Sequence, residues 1–165
     1  MAGGARRNEA TRGGMAASHA PRGVKFVGSY LHQLDDKGRL ALPASYRREA
    51  ADQRFVLIQP YPPALTLYPE LAWLEVEERL RDLVARNPKS RMYSLSLLSN
   101  AVEVVPDAQG RINIPARLKE AAGLNGQALL IGAIDKVEIW NPATFEAEVA
   151  SQSETFEQFV PQIFR

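Results

Sequence analysis

The chain has 165 residues, a formal net charge of +1, 45% hydrophobic and 24% charged residues, and no cysteine. That balance excludes a wholly disordered chain. No apolar run approaches the roughly 18 residues a spanning helix needs, which excludes an integral helical membrane protein. The lack of cysteine removes disulfides, thiolate metal sites, Cys nucleophiles and iron–sulfur clusters, and fits a reducing compartment. Two histidines, His19 and His32, leave little material for a His-based metal or catalytic site.

The charge is unevenly placed. Residues 1–23 carry Arg6, Arg7, Arg12 and Arg22 against Glu9, whereas the remaining residues hold 16 basic and 18 acidic side chains. The body is therefore slightly acidic, and any nucleic-acid contact requires basic groups concentrated locally and multiplied by oligomerisation. Residues 1–23 are rich in Gly, Ala, Arg and Ser with almost no bulky apolar residue, so they read as a disordered basic extension. They lack the apolar core of a signal peptide. Val24 is a candidate alternative start.

Taken in chain order, 27–34 reads as a strand. Asp35-Asp36-Lys37-Gly38 is a tight turn, in which the Asp carboxylate accepts turn amides and Gly tolerates positive φ. In the strand Arg39–Leu42, Leu40 and Leu42 share one face and Arg39 and Ala41 the other. Pro43 suits the first position of a helix reaching about residue 51. Strands follow near 55–59 and 64–68. Leu71, Leu74, Leu80, Leu83 and Val84 then recur near helical spacing, Pro88 ends that helix, and Met92, Leu95 and Leu98 mark a shorter one. A second turn, Asp107-Ala108-Gln109-Gly110, leads to the strand Arg111–Ile114. Pro115 opens a helix to about residue 122, with Gly123 as its C-cap. Strands are expected at 127–133 and 136–140. Asn141-Pro142 signals a last helix over about 142–150, and 151–165 form an acidic tail with three phenylalanines.

An internal repeat organises these elements. Asp35–Ala44 aligns with Asp107–Ala116 at an offset of 72. The alignment continues, with Val56-Leu57-Ile58 on Ala128-Leu129-Leu130, Leu65–Tyr68 on Val137–Trp140, and Trp73 on Phe145. Each copy is near the lower size limit of an independent fold, so the two are expected to share one core.

No catalytic constellation emerges. Asp35 and Asp36 are adjacent and need not converge as an acid–base pair would. There is no Gly-rich phosphate loop, no Ser/His/Asp set and no HExxH. No cofactor or metal is expected, nor an enzymatic activity. Trp73 and Trp140 read as core residues, and His32 as a surface or satisfied core histidine. The distinctive feature is the repeated Asp-x-x-x-Arg. In one reading Asp35–Arg39 and Asp107–Arg111 only pin their own turns. In the other, two Arg-bearing hairpins offer guanidinium forks to DNA phosphates or guanine edges. The two are compatible. Lys37 adds charge in the first turn and Arg47 and Arg48 on the following helix, whereas the second turn has only Ala108 and Gln109.

Gly28-Ser29-Tyr30, Leu34–Pro43, Asp107–Pro115 and Glu138-Ile139-Trp140 together closely resemble the bacterial MraZ family, over roughly residues 25–150. The resemblance implies an α+β, mainly β fold: duplicated swapped-hairpin AbrB-like modules forming one small barrel-like core, with a helical insert and a terminal helix. It implies SpoVT-AbrB-like domains at 29–76 and 101–147, joined by a helical linker at 77–100 and flanked by the 1–23 extension and the 151–165 tail. It further implies a cytoplasmic, nucleoid-associated transcriptional regulator. Such a protein acts as a ring-shaped homo-oligomer on short direct repeats of double-stranded DNA, upstream of the division and cell-wall gene cluster containing its own gene. Carried over by position, the DNA-contact residues are Arg39, Lys37, Arg111 and Lys25, and the turn-organising residues are Asp35, Gly38, Asp107 and Gly110. The chain departs from the family start, where a basic residue often follows Met-Phe: here Val27 follows Phe26, and Lys25 is the substitute. The competing expectations are an AbrB-fold antitoxin and a ring-forming scaffold without DNA affinity.

Overall fold

The computed structural model describes residues 25–50 and 54–164. The expectations for residues 1–23 and Val24 lie outside them. The first copy contributes β1 (Ser29–Gln33), β2 (Arg39–Ala41), α1 (Ala44–Glu49), β3 (Phe55–Ile58), β4 (Leu65–Pro69) and α2 (Glu70–Arg86). A 3₁₀ turn at Pro88–Ser90 leads into α3 (Arg91–Ser99). The second copy contributes β5 (Val102–Val104), β6 (Arg111–Asn113), α4 (Ala116–Ala121), β7 (Gln127–Gly132), β8 (Val137–Trp140) and α5 (Pro142–Ile163).

Every strand pairs antiparallel. Six form one sheet in the order β1-β7-β8-β4-β3-β5, and β2 and β6 form a separate two-stranded ribbon. The order is a palindrome of the repeat, since exchanging the copies maps each strand onto its counterpart. The first strand of each copy is swapped: β1 pairs with β7 of the second copy, and β5 with β3 of the first. The large sheet stops short of a closed barrel, with β1 and β5 at its two edges.

The swap follows from where apolar surface can be buried. Leu40, Leu42, Ile112 and Ile114 of the ribbon join Leu57, Leu67, Leu130 and Ile139 of the large sheet in a single core. Neither copy alone encloses these residues, and each such side chain contributes roughly 1.5–3 kcal/mol on burial. In β3 all four residues are buried. Phe55 and Leu57 face the shared core, while Val56 and Ile58 pack against Trp73 of α2 on the outer face.

This arrangement corrects the repeat alignment by one residue in one strand. The core-facing Phe55 and Leu57 correspond to Ala128 and Leu130, an offset of 73. In β4 and β8, Leu65 and Leu67 correspond to Val137 and Ile139, restoring 72. The aromatic pair Tyr68–Trp73, with centroids 5.8 Å apart, recurs at the same offset as Trp140–Phe145 at 5.4 Å. Trp140 itself is half-buried rather than a core residue, and its Nε1 donates to Glu138 at 2.8 Å.

Two boundaries also differ from expectation. Pro43 and Pro115 occupy the N-cap positions, one residue before α1 and α4. The last helix runs to Ile163, so residues 151–163 continue it instead of forming a separate tail. Its start is as read: the Asn141 side chain accepts from the amides of Ala143 and Thr144 at 2.9 and 3.2 Å, with Pro142 in the first turn. α5 is the repeat counterpart of α2, which begins 72 residues earlier. The helical insert is thus the first copy's version of the terminal helix, followed by α3.

Candidate nucleic-acid interface

The two Asp-x-x-Gly-Arg turns are built alike. The Asp35 carboxylate accepts the backbone amides of Lys37 and Arg39 at 3.0 and 2.8 Å, and its other oxygen takes Arg39 Nε at 2.6 Å. Asp107 takes the amides of Gln109 and Arg111 at 2.9 and 3.0 Å, and Arg111 Nε at 2.9 Å. The backbone closes each turn reciprocally, Asp35 with Arg39 and Gly38, and Asp107 with Arg111 and Gly110. The amide of Arg39 is the main reason the Asp35 carboxyl titrates below its ordinary range; partial desolvation opposes this and the guanidinium adds to it. Asp107 is lowered in the same way by the amide of Arg111.

The ribbon sets the arginines side by side. Arg39 pairs with Asn113, Leu40 with Ile112, and Ala41 with Arg111. The pseudo-twofold axis of the repeat therefore passes between Leu40 and Ile112. Those two residues point into the core, and Arg39 and Arg111 emerge together on the opposite face as diagonal neighbours, about 7–8 Å apart by strand geometry. The turns are tied into this ribbon by matching bonds: Leu42 donates to the Gly110 carbonyl at 2.9 Å, and Ile114 to that of Gly38 at 2.8 Å. Gly38 is obligatory here, with φ +79° and a Cβ that would collide with the Ile114 carbonyl.

Of each guanidinium the Asp engages only the Nε, and no described residue engages the terminal amines of Arg39 or Arg111. Their side chains remain about a third exposed. The turn thus holds the guanidinium stem while leaving its fork for an outside acceptor. The aspartate thus pins the turn and fixes the arginine stem, as the first reading of the motif expects. Lys37 is exposed at the tip of the first turn. Lys25 stands apart from this group. It precedes β1, whereas the turn follows it, and its amide bonds Glu49 at the end of α1.

Arg47 is the residue whose place the sequence did not reveal. From α1 of the first copy it reaches across to the second turn, where a Cβ on Gly110 would lie 2.6 Å from its guanidinium carbon. Its Nε is buried without a hydrogen-bond partner. The second turn, lacking its own counterpart of Lys37, thereby acquires a cation from the first copy. His32 is half-buried and its Nδ1 bonds the Ala41 carbonyl at 2.7 Å, a supporting contact beneath the ribbon. Among the described residues no set of His, Asp and Glu side chains converges as a metal site.

A family profile described as "MraZ protein, putative antitoxin-like" matches the chain twice, over residues 26–95 and 97–161. The chain belongs to the MraZ family. Each of the two MraZ matches contains one of the Asp-x-x-Gly-Arg turns. Relatives named Transcriptional regulator MraZ include one from Desulfitobacterium hafniense (strain Y51), 41% identical over 129 residues, covering 78% of this chain and 89% of that protein. Another, from Moorella thermoacetica, is 36% identical over 80% of this chain and 92% of the relative. A third, from Desulforamulus reducens, is 34% identical over 84% and 96%. Among the described residues no helix is long and apolar enough to cross a membrane.

Proposed function

We propose that the chain is a DNA-binding transcriptional regulator, without enzymatic activity, that works in the cytoplasm at the nucleoid. It acts as a ring-shaped homo-oligomer on tandem direct repeats upstream of its own gene, whose cluster it represses. The observation that carries this reading is the pair of aspartate-anchored arginines, Arg39 and Arg111, on one face across a pseudo-twofold axis. The name shared by the relatives supports it. The units 29–76 and 101–147 each contribute one hairpin, and Lys37 and Arg47 supply the positive charge that the Asp–Arg pairs themselves cancel. Lys25 contacts the phosphate backbone farther from the ribbon.

The charge balance explains the need for a ring. Within one subunit the two turns are nearly neutral, so a single ribbon binds weakly and is salt-sensitive. Identical ribbons placed on successive repeats multiply that affinity through effective concentration. The test is Arg39→Ala, measured by mobility shift on DNA from upstream of the gene. Loss of specific binding with an unchanged oligomeric mass and melting temperature supports the reading. If Arg39→Ala unfolds the protein or disassembles the oligomer, the Asp35–Arg39 pair is a fold element and nothing more. The family description also names an antitoxin-like character; that reading requires a toxin protein that copurifies with the chain.

A further inference from the structure

We propose that Asn113 is a base-reading residue, set beside Arg39 so that the ribbon reads DNA in one direction. Arg39 and Asn113 take a guanine and a neighbouring adenine in the major groove, and the half carrying Ala41 and Arg111 has no matching amide. The proposal rests on the DNA-binding reading above and deepens it.

Asn113 lies on the outward face of the ribbon. Leu42 donates to the Gly110 carbonyl and Ile114 to that of Gly38, so every second pair is hydrogen-bonded. The pairs Arg39–Asn113 and Ala41–Arg111 fall at the positions between. At such positions the Cα atoms approach to about 4.5 Å and side chains stand closest. Asn113 is exposed, and no described residue hydrogen-bonds its carboxamide. Its Oδ1 lies toward the first turn, 3.3 Å from where a Cβ on Gly38 would sit. Asn is unfavourable on strands, and here no internal bond offsets that cost.

The repeat shows what is particular to this residue. At the offset of 72, Arg111 corresponds to Arg39 and Asn113 to Ala41. The arginines are matched across the pseudo-twofold axis and the residues beside them are not. The turn glycines differ in step: the Asn113 amide lies against Gly38, and the Arg47 guanidinium over Gly110. One half thus offers a guanidinium fork beside a neutral amide, and the other a fork beside a methyl group and an extra cation. A carboxamide matches the N6 donor and N7 acceptor of adenine, as the terminal amines of Arg39 match guanine O6 and N7. Ala41 suits an apolar edge such as a thymine methyl. A two-stranded ribbon fits the major groove. Side chains about 5 Å apart at Cβ reach adjacent bases, which are spaced about 3.4 Å along a strand. Palindromic sites mirror alike halves; unlike halves read a site with a direction, as a row of repeats in one orientation requires.

The experiment selects from a pool of random double-stranded DNA with the full-length wild type, Asn113→Ala and Asn113→Asp, and scores base preference at each position. Because the side chain is exposed, melting temperature and native mass are expected to be unchanged. The wild type is expected to select adenine beside the guanine whose preference Arg39→Lys relaxes. Asn113→Ala is expected to lose that adenine preference alone, by roughly 5- to 150-fold, with non-specific affinity and salt slope retained. Asn113→Asp, an acceptor only, is expected to move the preference at the same position to cytosine. A structural role would weaken all sequences alike and exchange no base for another. A selected site without that adenine, variants that keep the wild-type preferences everywhere, or variants that both lose the native mass or melting temperature each overturn the assignment of Asn113 and leave the DNA-binding reading standing. A wild type that selects no sequence overturns both.

Discussion

Arg47 of the first copy lies over Gly110 of the second copy's turn, with its Nε buried and unpaired. The repeat is therefore asymmetric where it matters. The first turn carries its own Lys37, and the second borrows a cation from the helix of its sister copy. Replacing Arg47 with Gln keeps most of the stem and removes the charge. DNA binding is expected to weaken uniformly across sequences, and the slope of log affinity against log salt to shrink by about 1. Because no hydrogen bond to Nε is lost, thermal stability is expected to be unchanged or slightly higher. Salt-dependent binding isotherms and a melting curve check both halves.

On the proposed function, sequence specificity lies with the arginine forks. Arg39→Lys keeps the charge but loses the planar geometry that lets Nε hold Asp35 while the terminal amines stay free. The variant is expected to retain non-specific DNA affinity and to lose about 1–3 kcal/mol of discrimination between the operator and unrelated DNA. Competition mobility shifts with specific and random DNA measure the difference directly.

The glycines of the fold make a graded pair. Gly38 has φ +79°, and a Cβ there would collide with the Ile114 backbone, whereas Gly123 has φ +61° in open space. Gly123→Ala is expected to cost about 1–2 kcal/mol from left-handed strain alone. Gly38→Ala is expected to cost roughly 3 kcal/mol or more, since the ribbon backbone must also move. Denaturant unfolding of the two variants provides the comparison.

The turns also carry a pH signature. Asp35 and Asp107 have carboxyl pKa values held below their ordinary range by the amides of Arg39 and Arg111. A group whose folded pKa is depressed contributes stability above its unfolded pKa and loses it as pH falls through the folded value. The turns are therefore expected to be fully ordered above about pH 5 and to loosen below about pH 4. Carboxyl NMR titration should show both residues titrating below the unfolded reference. An unshifted titration would mean that the turn hydrogen bonds do not persist in solution.

Much of this architecture is legible in the amino-acid sequence because the repeat carries it. The offset between Asp35 and Asp107 locates both turns, and the alternation in Arg39–Leu42 tells which residues face out. The one-residue shift between β3 and β7 is hidden because β3 is apolar on both faces, so Phe55-Val56-Leu57-Ile58 has no alternation to fix its register. The swap of β1 onto β7 leaves no local mark, since pairing over such a separation has none, and only the family resemblance, which implies swapped hairpins, points to it. The length of α5 was available in principle. Phe156, Phe159, Val160 and Ile163 have helical spacing, and α2 one repeat earlier already shows a helix of similar length; Pro161 near the end masks the continuation. Arg47 was visible only as one of two adjacent basic residues. Its reach to Gly110 depends on the interlocking of the copies, which is a property of the assembled core.

The central claim is that affinity comes from several near-neutral ribbons acting together on repeated DNA. The most direct measurement is a mobility shift with fragments carrying one, two and three of the direct repeats upstream of the gene, at fixed salt and with excess unrelated DNA. The account predicts weak binding to one repeat and a gain of about 10²-fold or more with tandem repeats. Equal affinity for one repeat and for three would contradict it.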